Sequence, residues 1–207
     1  MRLFIALEIS EALRSELYAL EKEVRARSSG GRFVPPENFH ITLHFIGETE
    51  DPSPAEEALR EACRSAAPFT LGPFTYGYFE KGARVGRTAL AAPQGDTSAL
   101  FSLREALEDA LEKRGLPRDK RPYLPHVTLG RSVGQDELTA SELASIPLKA
   151  EYTATGAALF KSERVNGRQV YTPIFKESFS CHDKEKAEPV RIIKEGPADG
   201  RKGEGIR

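Results

Sequence analysis

Two stretches of the chain repeat one short pattern of reactive side chains: His40-Ile41-Thr42-Leu43 within PENFHITLHFIGE, residues 36–48, and His126-Val127-Thr128-Leu129 within LPHVTLGRS, residues 124–132. In an extended chain side chains alternate between faces, so His40 and Thr42 share one face while Ile41 and Leu43 share the other. The same rule puts His44 beside His40 and Phe45 opposite; in the second copy it groups His126, Thr128 and Gly130, with Arg131 on the face opposite His126. Two imidazoles suit a reaction that removes one proton and delivers another near neutral pH. Cleavage of a phosphodiester is such a reaction: a base activates the attacking oxygen, an acid protonates the leaving oxygen, and in-line displacement sets them on opposite sides of phosphorus. Thr42 and Thr128 would donate to the non-bridging oxygens as charge develops there. A single His-x-Thr is ordinary strand sequence. Two copies, each with apolar residues on the opposite phase, are what argue for chemistry.

The rival reading is a metal site built from His40, His44 and His126. Four residues of extended chain separate His40 from His44 by roughly 13 Å, whereas zinc ligands converge within about 2.1 Å of one ion. The pattern therefore predicts no metal and no cofactor, and makes His44 a wall of the cleft.

The elements that must carry these residues follow from periodicity. Residues 1–9 read as a strand, and Leu13, Leu17, Leu20 and Val24 recur at helical spacing behind a Ser10 N-cap. A strand over 39–46, a helix over 51–67, and two strands, FTLGPFTYGYFE and VGRTALAAP, joined by a turn at Lys81-Gly82, complete the first half. The order then repeats: a helix over 97–114, a strand over 125–131 with the second motif, a short helix over 136–144, and strands over 148–160 and 168–175 with Asn166-Gly167 in the last hairpin. The reading is one domain over 1–175, duplicated roughly as 1–92 and 93–175. Residues 176–207, rich in Lys, Glu, Gly and Pro, form a solvated tail.

Composition is that of an ordinary globular chain of 207 residues, and the net charge of −1 gives no overall attraction to nucleic acid or to an anionic membrane. Cys63 and Cys181 lie too far apart for a redox or zinc-ribbon motif. The opening MRLFIALEIS is broken by Glu8 and too short for a membrane span. A cytoplasmic, monomeric protein without membrane attachment is expected.

RLFIALEIS, RFVPPENFHITLHFIGE, PYLPHVTLGR and LFKSERVNGRQVYTPI together resemble the 2H phosphoesterase superfamily, most closely the RNA 2′,3′-cyclic phosphodiesterases also called 2′-5′ RNA ligases. The resemblance implies an α+β, bilobal fold: two pseudo-twofold-related lobes whose antiparallel sheets line a central cleft, with helices outside. It implies hydrolysis of a terminal 2′,3′-cyclic phosphate to a 2′-phosphate, with His126 as proton acceptor and His40 as proton donor. The reverse reaction would join RNA ends by a 2′-5′ linkage. The implied partner is RNA ending in a cyclic phosphate, tRNA fragments included. Phe33 stands where relatives often carry Trp and is a candidate for stacking a base or ribose. Arg131 closes the second motif and would reach a phosphate if the strand end curls; Tyr123, Arg32 and Arg121 flank the motifs as candidates for the RNA backbone. Ser162 and Tyr171 match the closing pattern without a catalytic assignment. An alternative from a different class is a binding module that holds nucleotides or RNA ends without turnover; another keeps the chemistry but changes the substrate to a small cyclic nucleotide, an ADP-ribose cyclic phosphate or a 2′-5′ oligonucleotide.

Overall fold

The computed structural model describes residues 1–80 and 86–180. The strands are β1 (Arg2–Glu8), β2 (Arg32–Phe33), β3 (His40–Glu48), β4 (Phe69–Leu71), β5 (Phe74–Glu80), β6 (Arg87–Pro93), β7 (Val127–Val133), β8 (Tyr152–Ala154), β9 (Gly156–Val165) and β10 (Arg168–Ser178). The helices are α1 (Glu11–Ala26), α2 (Ser53–Arg64), α3 (Ser98–Glu112) and α4 (Glu137–Ala144). Ser10 caps α1 by accepting from the Leu13 amide at 3.3 Å, and α1 buries the Leu13, Leu17, Leu20 and Val24 stripe that its spacing announced. Among the described residues no helix is long and apolar enough to cross a membrane.

One antiparallel sheet runs in the order β10-β9-β1-β3-β7-β6-β5, with β2 also on β7; β4 and β8 form a separate ribbon. The two motif strands lie side by side at its centre, joined by one register pair, Ile41 with Val127. Four strands stand on the β3 side of that seam. One face of the sheet carries Leu3, Ile5, Leu7, Ile41, Leu43, Val127 and Leu129 into the main core with the helices. The other, open face bears Phe4, Ala6, Ala158 and Phe160, a small apolar cluster apart from that core.

The half-chains are not the half-sheets. β5 and β6, from the first half in chain order, pair beyond β7, while β9 and β10 return to flank β1. The stretch expected as one strand over 148–160 is two, with β8 paired to β4 before the chain turns into β9. FTLGPFTYGYFE is likewise split into β4 and β5 at Gly72-Pro73. Order also extends past 175: β10 continues to Ser178, and Phe179 is buried against Phe69, their rings 5.7 Å apart. The first charged residues of the expected tail lie instead along β10, where Lys176 pairs with Glu8 and Glu177 with Arg60. The Lys81-Gly82 turn, Cys181 and the remainder of the tail lie outside the described residues.

Both motif strands contain a bulge, and at the same place. Opposite β1, Ala6 aligns with Thr42 and Ile5 with His44, leaving Leu43 as the extra residue. Opposite β6, Leu90 aligns with Thr128 and Ala89 with Gly130, leaving Leu129 extra. A bulge places two residues against one and so exchanges the faces of everything after it. The pseudo-symmetry of the motifs therefore extends to backbone irregularity.

Candidate active site

The open face of the sheet forms a cavity of about 510 Å³ across the β3/β7 seam, and His40, Thr42, His126 and Thr128 all line it. His40 Nδ1 lies 2.7 Å from the Asn38 carbonyl oxygen, and His126 Nδ1 lies 2.6 Å from the Leu124 carbonyl oxygen. A carbonyl only accepts, so each Nδ1 carries its hydrogen, and each neutral ring keeps Nε2 as its acceptor. Each imidazole is thus held by the backbone two residues before it. His40 Nε2 sits 3.1 Å from Thr42 Oγ1, a distance at which the hydroxyl donates to the neutral ring.

Aromatic rings fix the imidazoles further. Phe4 lies 4.9 Å from the His40 ring, Tyr171 meets it edge-on at 5.2 Å, and Phe79 meets His126 edge-on at 5.0 Å. Burial lowers His40 to about 4; the bond to the Asn38 carbonyl opposes this, and the neighbouring charges of His126 and Arg131 add to it. Burial likewise lowers His126, against the Leu124 carbonyl and with help from Arg131. Burial thus favours the neutral form of both rings.

The bulges decide which other candidates join them. Beyond Leu129 the faces exchange, so Arg131 lines the cavity despite the alternation that assigned it elsewhere. Beyond Leu43 the same exchange turns Phe45 into the cavity and His44 away from it. His44 is a correction to the expected cleft wall: it is buried on the helix side, its Nδ1 2.8 Å from Glu108 Oε1 on α3. Glu108 also pairs with Arg104 at 2.9 Å and accepts the Asp119 amide at 3.0 Å. With His44 on the opposite face, the trio His40, His44 and His126 cannot surround one ion.

Tyr123 is a second correction. It does not line the cavity; its hydroxyl donates to the Thr42 carbonyl at 3.0 Å, and its ring packs on Phe101 and beneath the Arg104 guanidinium. Phe33 is a third. It packs on the helix-side core under the Arg25 guanidinium, 4.5 Å from the ring centroid, and fills the space that a side chain at Gly130 would need. Arg32 and Arg121 are exposed and outside the cavity, the latter paired with Asp119 at 2.6 Å. Ser162 and Tyr171 do line it. Sequence reasoning missed Phe4, Phe45, Phe79 and Thr88 there. Phe4 was findable, since it alternates with Leu3 and Ile5; Phe45 was not, because a bulge leaves no mark in composition.

Two motif strands of one antiparallel sheet, each presenting a backbone-held His and a Thr to one cavity, define the class: a two-lobed 2H phosphoesterase fold. The model of the 2′-5′ RNA ligase superfamily matches residues 10–166, and the chain belongs to that superfamily. It is 31% identical over 209 residues to the RNA 2′,3′-cyclic phosphodiesterase of Thermus thermophilus, covering 99% of this chain and 100% of that one. It is 30% identical over 178 residues to the enzyme of the same name from Escherichia coli, covering 84% and 93% respectively. A crystal structure of the Thermus thermophilus protein TT0787 superposes with a TM-score of 0.69 at 28% identity, over 86% of this chain and 98% of that one.

Proposed function

We propose that the chain is an RNA 2′,3′-cyclic phosphodiesterase that produces a 2′-phosphate, with His40 and His126 handling the two protons. The observation that carries this reading is the matched pair of imidazoles, each tethered through Nδ1 to a carbonyl two residues earlier, in one cavity with Arg131. The activity that names the relatives from Thermus thermophilus and Escherichia coli supports the substrate.

In this mechanism His126 Nε2 takes a proton from water as its oxygen bonds to phosphorus. The bond from phosphorus to the 3′ oxygen breaks, and His40 Nε2–H delivers the proton that makes a 3′ hydroxyl. Thr128 and Arg131 hold the non-bridging oxygens. Thr42 joins them through its partner: once His40 is protonated, Nε2 no longer accepts, and the Thr42 hydroxyl is released to donate to phosphate. With an RNA 5′-hydroxyl attacking the cyclic phosphate in place of water, the same groups form a 2′-5′ linkage as the bond to the 3′ oxygen breaks. RNA ends left by cleavage, tRNA fragments included, are the proposed substrates.

The test is incubation in EDTA with a short RNA ending in a 2′,3′-cyclic phosphate, beside His40→Ala and His126→Ala. Wild type should yield a 2′-phosphate, and each variant should lose on the order of 10²- to 10⁴-fold in rate. An end left closed by pure wild-type protein would overturn the reading.

A further inference from the structure

A second, more apolar hollow opens beside His126. It is a groove of about 360 Å³ over β6 and the segment leading into β7, and His126 and Phe79 line both it and the main cavity. Its other walls include Leu90, Phe101 and Leu124. Leu90 is the register partner of Thr128, so groove and cavity adjoin on one face of the sheet. Phe101 and Leu124 are 41% and 58% exposed, and together in one groove against a reactive imidazole they form a patch suited to a ligand. The Phe101 ring is fixed in place: it meets Tyr123 edge-on at 5.5 Å, and the Tyr123 hydroxyl is bonded to the Thr42 carbonyl. A fixed, exposed ring is a platform on which a nucleobase stacks.

The sheet order puts the two hollows at opposite ends of the reaction axis. Phe4, Phe45, Ser162 and Tyr171, from β1, β3, β9 and β10, line the main cavity on the His40 side of the seam, whereas β6 lies on the far side of β7 from β3. In the proposed mechanism the 3′ oxygen leaves toward His40, so the nucleotide carrying the cyclic phosphate takes the His40 side. The nucleophile enters in line from the opposite side, at His126. Attacking water needs no apolar groove there. A nucleoside 5′-hydroxyl does, because its ribose and base must lie beyond the attacking oxygen.

Resting on the proposed function, we infer that the groove is an acceptor site for the nucleoside whose 5′-hydroxyl attacks the cyclic phosphate, with its base against Phe101 and Leu124. The step balances without a further reactant. The 5′ oxygen bonds to phosphorus and gives its proton to His126 Nε2, while the bond to the 3′ oxygen breaks and His40 Nε2–H protonates that oxygen. The same groove would hold the second nucleoside of a 2′-5′ linkage.

The experiment measures by calorimetry the binding of three ligands to wild type, Phe101→Ala and Phe101→Trp. The first is a 2′-5′-linked dinucleotide whose first ribose lacks the 3′-hydroxyl, so that it cannot close to a cyclic phosphate and stays intact; it spans both sites. The second, a nucleoside 2′-phosphate, fills the His40 side alone. The third is a 3′-5′-linked dinucleotide ending in a 2′-phosphate, whose extra nucleotide lies upstream. Phe101→Ala should weaken the first by about 5- to 100-fold, the effect of one lost base stack, and leave the other two within about twofold. Phe101→Trp should restore the first. Phe101→Leu, which keeps apolar bulk without a ring, gives the same contrast should Phe101→Ala fold poorly. A loss shared by either of the other ligands, or none on the first, would overturn the inference, and a loss on the third would give the groove to the upstream nucleotide. Absence of turnover in the wild type would defeat the proposed function alone, since the binding constants still decide what the groove holds.

Discussion

At the residue level the site depends on how two imidazoles are held and how far burial moves them. Each Nδ1 hydrogen is committed to a carbonyl, which fixes the tautomer and leaves Nε2 for chemistry. Yet burial holds His40 at about 4, and the acid of the proposed mechanism must be protonated to act. The anionic substrate supplies the correction, since a negative charge beside an imidazole favours its protonated form. The sign of the pH dependence follows. kcat/KM reports the free enzyme, in which both histidines lie below the ordinary 6.5, so its bell-shaped profile should centre below pH 6.5. kcat reports the complex, in which phosphate raises both, so its bell should centre at higher pH. The apparent limits belong to the pair, not to single rings. Steady-state rates from about pH 4 to 9 would check this, and coincident profiles centred above pH 7 would contradict it.

Among the elements, the two bulges separate what the sequence made legible from what it did not. Period-two alternation placed His40 and Thr42 against Ile41 and Leu43 correctly, and the helical stripe of α1 and the Asn166-Gly167 hairpin stood plainly in the residue types. Alternation then failed just past the motif in each strand, at the first of two register shifts. Leu43 and Leu129 are apolar and β-compatible like their neighbours, and only the register with β1 and β6 reveals them as extra. Both wrong faces, His44 and Arg131, come from that single cause. Tyr123 and Phe33 were misplaced for another reason: an aromatic beside a motif reads alike whether it stacks on substrate or fills core. The corrected partition is testable. Tyr123→Phe should lower stability by about 0.5–1.5 kcal/mol through the lost bond to the Thr42 carbonyl, and leave KM for a short RNA within about twofold. Arg131→Met should do the opposite, holding the urea midpoint while kcat/KM falls about 10- to 100-fold. If Tyr123→Phe raised KM at unchanged stability, the ring would be a substrate contact.

At the scale of the whole molecule the question is what keeps two half-sheets at a fixed distance, since in-line displacement needs acid and base on opposite sides of one phosphorus. Their backbone seam is a single register pair, Ile41 with Val127, and each of these lies between a motif His and its Thr. The rest is done by crossed packing. α1 follows β1 yet packs against β7 and α4, and α3 follows β6 yet packs against α2 and β3. Apolar residues from both half-sheets accordingly belong to one continuous core, and β9 and β10 return from the far end of the chain to close it. A core shared in this way gives neither half an independent fold, so heat unfolding should be one cooperative transition with equal calorimetric and van't Hoff enthalpies. Ile41→Val should lower stability by about 0.5–1.5 kcal/mol. Val127→Ala removes more buried carbon and should cost more, and because the two side chains share the seam the double variant should deviate from additivity by about 0.5–3 kcal/mol. Activity should fall further than the folded fraction in both, because a gap at the seam lets His40 and His126 shift relative to each other. Two separate transitions, or strict additivity with full activity, would mean that the halves hold their catalytic groups without each other.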